Sequence, residues 1–267
     1  MLNPDNLTAM LQATKRLGKS VLCYDEVGST NTLAYRLAKE GAPEGLLITA
    51  ERQTNGKGRG GKAWQSSKGD NLMFSLILRP KIEVQRAQLL PLLAADAVAQ
   101  TATELLSKIN GLRAMIKYPN DIMVDEKKIS GVLLESRVGE SVEFVVLGIG
   151  LNVNQTEFNA GVQETATSLR QLTARTFDRA AVLEKMIKMI DEKYDAFLRD
   201  DNDKLLLQGW KEKCTTLGRE IRFEWNGQAM EGKAINIDRF GRLEIETVDE
   251  RIVAAPSEIL YIRPKHT

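Results

Sequence analysis

Hydrophobic positions follow two different periods along the chain, and these periods predict its helices and strands. Apolar residues near helical spacing predict helices over 1–18, 29–41, 84–109, 178–199 and 202–214. Apolar runs bounded by turn residues predict strands over 20–26, 45–51, 71–79, 113–118, 121–125, 128–136 and 143–153. Because several strands follow one another directly while others alternate with helices, we expect an α+β fold with a mixed or antiparallel sheet flanked by helices.

The pattern changes near residue 215. From there to the end, five short apolar runs are separated by NG, FG and DE turns, with no helical spacing between them. Short, evenly spaced strands of this kind predict a small β-barrel of the SH3 type. We therefore expect two domains, over 1–214 and 215–267.

Composition narrows the class of protein. The 267 residues include 37 basic and 36 acidic side chains, so a net charge of +1 argues against binding a polyanion through bulk charge. Two cysteines, Cys23 and Cys214, are too few for a disulfide framework. The first residues have no signal-peptide pattern, and no run of about 18 apolar residues predicts a membrane span. We expect a cytoplasmic protein that does not bind a membrane.

The presence of a single histidine argues against catalytic mechanisms and metal sites that need a positioned imidazole. His266 is the only histidine and is the last residue but one, where an imidazole cannot be held for a catalytic triad or a zinc site. The groups left for chemistry are lysine, arginine, carboxylate, amide and backbone groups. These groups suit the binding and polarising of phosphates better than they suit nucleophilic catalysis.

Residues 53–70 form a polar segment rich in glycine and lysine. Its run Gly56–Gly61 spells GxGxxG, but a strand follows it, whereas a dinucleotide site needs a helix there. The run Gly56–Lys62 also spells GxxxxGK, but Ala63 replaces the Ser or Thr of a P-loop, and the HRD and DFG sequences of kinases are missing. The segment is either a solvated surface loop or an anion-binding lid. Cations alternating with bare glycine amides, followed by Trp64, favour the lid.

Two more segments carry candidate groups. Lys117-Tyr118-Pro119-Asn120-Asp121 interrupts two strands, and Lys128 begins the next strand after a DEKK turn. Gly148 and Gly150 share one strand face and would leave a strip without side chains, as Gly131 would on its own strand. Each feature has a plain structural alternative: a simple turn, a solvated edge lysine, or close packing against a helix.

Taken in order, these segments resemble the biotin protein ligase family. The resemblance covers most of 20–155 and rests on Ser29-Thr30-Asn31, Gln53, the Gly56–Gly61 run with Trp64, the KYPND segment, Lys128-Ile129-Ser130-Gly131 and Gly148-Ile149-Gly150-Leu151-Asn152. Two positions depart from the family pattern: Lys57 replaces an arginine and Tyr118 replaces a tryptophan. The first keeps the charge but loses a bidentate fork, and the second keeps a flat ring.

The resemblance implies a fold and a reaction. It implies a catalytic domain like that of class II synthetases, with the C-terminal barrel as the family's small β domain. It also implies that biotin reacts with ATP to give biotinyl-5′-adenylate, and that the biotinyl group then passes to a lysine of a biotin carboxyl carrier protein. ATP with Mg²⁺ is the expected co-substrate and ion.

The resemblance also implies roles for individual residues. The residues expected to bind biotin are Ser29, Thr30, Asn31, Gln53, Lys57, Gly58, Arg59, Lys128, Gly131, Gly148 and Gly150. Those expected to bind ATP are Arg59, Lys62, Trp64, Asn120 and Asn152. The expected catalytic residues are Arg59, Lys117, Asp121 and Lys128. Asp121 is also the expected Mg²⁺ ligand.

Other readings stay open. A lipoate ligase of the same superfamily is the nearest alternative. A nucleic-acid-binding module built on the C-terminal barrel is a weaker one, because acidic residues are interleaved with its aromatic residues and cations. About 20 residues precede the first strand, so we expect a single-function ligase that binds no DNA. The sequence is compatible with a monomer and with a homodimer.

Overall fold

The computed structural model describes residues 1–199 and 203–264, and His266 lies outside them. The helices are α1 (Pro4–Met10), α2 (Thr30–Lys39), α3 (Leu90–Asn110), α4 (Leu169–Thr173), α5 (Arg179–Arg199) and α6 (Lys204–Lys213). The first seven strands are β1 (Ser20–Val27), β2 (Leu46–Gln53), β3 (Leu72–Leu78), β4 (Met115–Lys117), β5 (Asp121–Val124), β6 (Lys127–Val138) and β7 (Val142–Leu151). The last five are β8 (Glu220–Trp225), β9 (Gln228–Ile237), β10 (Leu243–Glu246), β11 (Arg251–Ala254) and β12 (Ile259–Pro264).

The first seven strands form one mixed sheet. Their order is β1-β2-β3-β7-β6-β5-β4, with β1 parallel to β2 and the other neighbours antiparallel. The strand β7 inserts between β3 and β6, so the glycines of β7 lie at the centre of the sheet. The predicted α+β class with a mixed sheet flanked by helices is confirmed.

Helices cover both faces of this sheet. The long helices α3 and α5 pack together over the larger core, while Ala34 and Ala38 of α2 pack on Ile48, Ile77 and Phe144 in a second, smaller core. The helical stretch Arg86–Asn110 is long and apolar enough to cross a membrane by length and composition, but 72% of its most apolar window is buried inside the fold. It is the central core helix, as its packing shows.

The last five strands form a separate antiparallel sheet in the order β11-β10-β9-β8-β12. Its five strands were expected, whereas its closure into a barrel and the domain boundary near 215 stay predictions. Tyr118 joins this sheet to the larger one: its hydroxyl donates to the carbonyl of Gly241 at 3.1 Å, and its N–H donates to Oγ1 of Thr216 at 3.0 Å. Tyr118 is 3% exposed, so both bonds are shielded from water.

The predicted helix over 1–18 is wrong beyond Met10. The backbone N–H groups of Lys15, Arg16 and Leu17 all donate to the carboxylate of Asp191 on α5, at 2.6, 2.8 and 2.8 Å. Three successive amides that converge on one carboxylate cannot also follow a helical ladder. A tertiary contact, made by a residue about 175 positions away, therefore overrides the local periodicity.

Candidate active site

A cavity of about 1400 Å³ opens over the centre of the larger sheet. Every residue that the sequence predicts for the site lines this cavity: Ser29, Thr30, Asn31, Gln53, Lys57, Gly58, Arg59, Lys62, Trp64, Lys117, Asn120, Asp121, Lys128, Gly131, Gly148, Gly150 and Asn152. These residues come from six separate segments of the chain, and their convergence supports reading them as one site. The individual role of each residue stays a prediction.

One end of the cavity carries a fixed network of hydroxyl and amide groups. Ser29 caps the N-terminus of α2, which places Thr30 and Asn31 in its first turn. The backbone N–H of Thr30 donates to Oε1 of Gln53 at 2.7 Å. From the sheet below, Oγ of Ser75 donates to Oδ1 of Asn31 at 2.6 Å and contacts Oγ1 of Thr30 at 2.9 Å. Because these groups already hold one another, they present donors and acceptors to a ligand without reorganising.

The glycine strip on β7 exists because other groups approach the backbone too closely for a side chain. A Cβ added at Gly148 would lie 2.0 Å from Oδ1 of Asn31, and one at Gly150 would lie 2.4 Å from the ring of Trp64. At Gly131 on β6 a Cβ would lie 3.1 Å from Nζ of Lys128. The strip therefore makes room for side chains of the site: Asn31, on the first turn of α2, at Gly148 and Trp64 of the loop at Gly150.

The segment from Gly56 to Trp64 is a loop with its own internal hydrogen bonds. The N–H of Gly58 donates to the carbonyl of Lys62 at 2.6 Å, and the N–H of Trp64 donates to the carbonyl of Gly56 at 2.9 Å. Gly60 has a φ of 65°, within a single helical turn, and no helix follows the loop before β3. The dinucleotide and P-loop readings are thus excluded, because both place a helix after the glycines.

Arg59 connects this loop to the C-terminal sheet. Its Nη2 donates to the carbonyl of Ile259 on β12, and Lys62 stands 5.2 Å above the ring of Tyr261. Its Nη1 is buried with no hydrogen-bond partner in the part of the chain that the structure describes. Burial lowers the pKa of Arg59, and the nearby Tyr118 partly opposes this shift. A buried guanidinium with an unused donor is suited to receive an anion.

A second group of cations faces the loop across the cavity. Lys128 lies 2.5 Å from Oδ1 of Asp121 and 5.7 Å from the ring centre of Trp64. Burial lowers the pKa of Lys117, with Asp121 opposing the shift and the neighbouring cation Arg263 adding to it. An excess of cations over carboxylates in a partly buried site favours the binding of a polyanion.

One wall of the cavity is formed by residues that the sequence did not indicate. Residues 155–166, for which the sequence predicts neither helix nor strand, run beside β6, where the N–H of Lys128 donates to the carbonyl of Thr165 at 2.7 Å. Phe158, Asn159 and Val162 of this segment line the cavity. The segment has no periodic pattern that could have revealed it.

The sequence analysis also missed three arginines that line the cavity. They are Arg113, Arg219 and Arg263. Each stands in a region whose sequence predicts only a strand or a turn, so its place at the cavity depends on how the two sheets pack.

The metal prediction concerns Asp121. Among the described residues there is no group of three or more His, Cys, Asp or Glu side chains that could hold a metal ion. Asp121 is also paired with Lys128. This arrangement fits Mg²⁺ only as an ion that takes most of its ligands from phosphates and water. Asp121 as its protein ligand stays a prediction.

The fold and site are those of a ligase that activates a small acid, and comparison with known proteins gives the family. Residues 25–152 match the model of the biotin/lipoate A/B protein ligase family. The chain is 35% identical to the bifunctional ligase/repressor BirA of Bacillus subtilis, over 92% of this chain and 76% of that protein. The chain belongs to the biotin/lipoate A/B protein ligase family.

Further relatives within the family are biotin ligases. The chain is 30% identical to the biotin–[acetyl-CoA-carboxylase] ligase of Mycobacterium tuberculosis, over 89% of this chain and 87% of that one. The biotin protein ligase of Aquifex aeolicus, solved in complex with biotin and ATP, superposes with a TM-score of 0.75 at 30% identity, over 92% of this chain and all of that chain.

Proposed function

We propose that this protein activates biotin with ATP, giving biotinyl-5′-adenylate and pyrophosphate, and then transfers the biotinyl group to a lysine of a biotin carboxyl carrier protein. The observation that carries the proposal is the arrangement of one cavity, with neutral donors and acceptors at one end and cations around the middle. The relatives that bind biotin and ATP, or are named as biotin ligases, support biotin over lipoate as the substrate.

The neutral end of the cavity suits the ureido ring of biotin. This ring has N–H donors and a carbonyl acceptor, and each needs a partner once it is buried. Thr30, Asn31 and Gln53 supply hydroxyl and amide groups there, and Gly148, which also lines the cavity, has no side chain to obstruct the ring system. We place biotin with its ring at this end and its carboxylate toward Lys128.

The first step brings together two anions that repel each other. An oxygen of the biotin carboxylate attacks the α-phosphorus of ATP, a P–O bond forms, and the bond to pyrophosphate breaks. Neither reactant needs an enzyme nucleophile, so the protein acts by holding both and by balancing their negative charge. Arg59, Lys117 and Lys128 are the residues to which we assign this charge, and Asp121 orients Lys128 through their ion pair.

Mg²⁺ bound to the phosphates would reduce their negative charge as the new bond forms. Asp121 is the carboxylate that could contact this ion, and Lys62 is the loop cation to which we assign a contact with the phosphates. Asn120 lies at the same edge, although its Nδ2 already donates to the carbonyl of Val132 on β6. The second N–H of Nδ2 and the side-chain oxygen of Asn120 are the groups left to contact ATP.

The second step transfers the acyl group. The amine of the carrier lysine attacks the carbonyl carbon of the adenylate, an amide bond forms, and AMP leaves. Until then the mixed anhydride must be kept from water. The glycine loop is the element that can cover it, because its Trp64 lies over the glycine strip and its Arg59 reaches into the buried region.

We also propose a compartment, a carrier protein and an oligomeric state for this protein. We place the reaction in the cytoplasm, in line with two free thiols that form no disulfide. The carrier is of the type named for the acetyl-CoA-carboxylase ligase relative. A homodimer stays a prediction that sedimentation at several concentrations would test.

The proposal is tested by exchange of labelled pyrophosphate into ATP with the purified protein. Exchange should require biotin and should not occur with lipoate in its place. Calorimetry with biotin alone, followed by ATP, should show that biotin binds without the nucleotide. Exchange supported by lipoate, or by neither acid, would contradict the proposal.

A further inference from the structure

Asn71, just before β3, joins two segments that continue into opposite walls of the cavity: Ser66 follows the lining residues Trp64 and Gln65, and Val153 follows the lining residue Asn152. We infer that Asn71 is a positioning residue which, together with Gln155, fixes the spacing of these walls around the adenosine part of ATP. The inference rests on the proposed function, because it assigns a role in binding the nucleotide.

The contacts of Asn71 use both halves of its amide. Its Oδ1 accepts the N–H of Val153, two residues after β7, at 2.9 Å. Its Nδ2 donates to Oγ of Ser66, two residues beyond Trp64, at 3.0 Å and also donates to Oε1 of Gln155. That same oxygen of Gln155 accepts the N–H of Ser67 at 3.3 Å. The two amides, here called the clasp, therefore tie the end of the glycine loop to the segment that follows β7.

The place of the clasp along the sheet points to the nucleotide rather than to biotin. Ser75 pairs with Gly148 at the neutral end of the cavity, and Met73 pairs with Gly150 beneath Trp64. Asn71 lies two residues before Met73 on the same face of the sheet, opposite Asn152. It is four residues from Ser75. At about 3.4 Å per residue this is roughly 13 Å from the neutral end. With the biotin ring at that end, the clasp lies beyond the carboxylate, where the adenylate extends.

The backbone of Asn71 is held from behind, so that the clasp has a fixed base. Nη1 of Arg179 donates to the carbonyl of Asn71 at 3.1 Å, and Nη2 pairs with Glu51 at 2.8 Å. Glu51 in turn accepts the N–H of Leu2 at 2.7 Å. Asn71 is 1% exposed and Gln155 is 6% exposed, so water does not readily replace their bonds. Removing the side-chain amide of Asn71 or of Gln155 should therefore shift a wall of the cavity, because water would not simply take over the lost hydrogen bonds.

The test compares Asn71→Ala and Gln155→Ala with the wild-type protein. Each variant should raise the KM for ATP in biotin-dependent pyrophosphate exchange about tenfold, the effect of losing one or two buried hydrogen bonds. The Kd for biotin alone, measured by calorimetry, should change less than twofold. The double variant should be little worse than either single one, because both changes open the same clasp. Asn110→Ala, which removes an exposed amide at the end of α3, is the matched control.

The outcomes separate this inference from the proposed function. If the wild-type protein shows no biotin-dependent exchange, the proposed function fails and the clasp fails with it. If the wild type is active but Gln155→Ala keeps its KM for ATP, or loses affinity for biotin and ATP equally, the positioning role alone is refuted. Gln155→Ala keeps the bond from Asn71 to Val153, so it decides the question even if Asn71→Ala does not fold.

Discussion

The cations of the cavity lie in surroundings that make them costly to bury without an anion. Burial lowers the pKa of both Arg59 and Lys117, which means that the protein holds these charges partly desolvated. A phosphate or carboxylate placed between them gains more from the interaction than it would in water. The proposed function therefore predicts that the reacting anions stabilise these partly desolvated cations when they bind.

Lys128 is the residue whose loss should affect the first reaction most directly. Lys128→Met should lower the rate of biotin-dependent pyrophosphate exchange about 10- to 100-fold, since a charge-assisted hydrogen bond contributes ~1.5–3 kcal/mol. Lys127→Met is the matched control: Lys127 is the neighbouring, exposed residue, and adjacent residues of a strand point to opposite faces. If the exchange rate fell equally in the two variants, the ammonium group of Lys128 would have no specific role in the first reaction.

Some of the site residues could be predicted from sequence and others could not. Gly148 and Gly150 are visible as a period of two within a strand, and Lys128 and Asp121 flank a short hairpin, so local spacing brings them together. Asn71 and Ser75 looked like ordinary members of the strand predicted over 71–79. Their importance comes from partners 82 and 44 residues away, and no local pattern encodes such pairings.

At the scale of elements, the glycine loop is held by the other sheet. Its Arg59 bonds to β12, and its Lys62 lies over the ring of Tyr261 on the same strand. These contacts join a loop near residue 60 to a strand near 260, so the sequence predicted the loop and the strand but not their contact. The boundaries of α1 and the existence of α4 were also missed, because both depend on contacts with distant segments.

Changing Arg59 tests whether the loop covers the adenylate. Arg59→Gly removes the bond to β12 and the buried donor, so the loop should stay loose and release biotinyl-adenylate into solution. We expect the variant to biotinylate lysines of an unrelated protein, which a streptavidin blot would detect, and the wild type to label only its carrier. Lys81→Gly, in an exposed loop, is the control. If Arg59→Gly bound biotinyl-adenylate as tightly as the wild type, the role of the loop as a lid would be wrong.

At the scale of the whole molecule, three long-range attachments hold distant parts of the chain together. Tyr118 joins the two sheets, Arg59 joins the loop to β12, and Asp191 holds the segment before β1 on α5. Alternating hydrophobic patterns could predict most strands of both sheets. They could not predict that β7 lies between β3 and β6, since the order of strands is decided by packing between segments that the pattern treats alike.

The attachment of the first segment to α5 gives a stability prediction that depends on pH. The carboxylate of Asp195 pairs with Lys15 at 2.5 Å and Arg199 at 2.9 Å. The hydrogen bond from Lys15 is the main cause that lowers the pKa of Asp195. Because the folded pKa lies below the unfolded one of about 3.9, this stabilisation is complete above that value and is lost as the pH falls through the folded pKa.

Asp195→Asn should therefore lower the Tm at pH 7 by about 2–4 °C, the effect of ~1 kcal/mol in a chain of this size, since Lys15 and Arg199 are largely exposed and the solvent weakens the pairs. The difference from the wild type should shrink as the pH falls below about 4. Thermal unfolding from pH 3 to 7 measures it, with Asp249→Asn, at an exposed turn, as the control. A difference that persists undiminished at pH 3 would mean that Asp195 stabilises the fold by shape and hydrogen bonding rather than by charge.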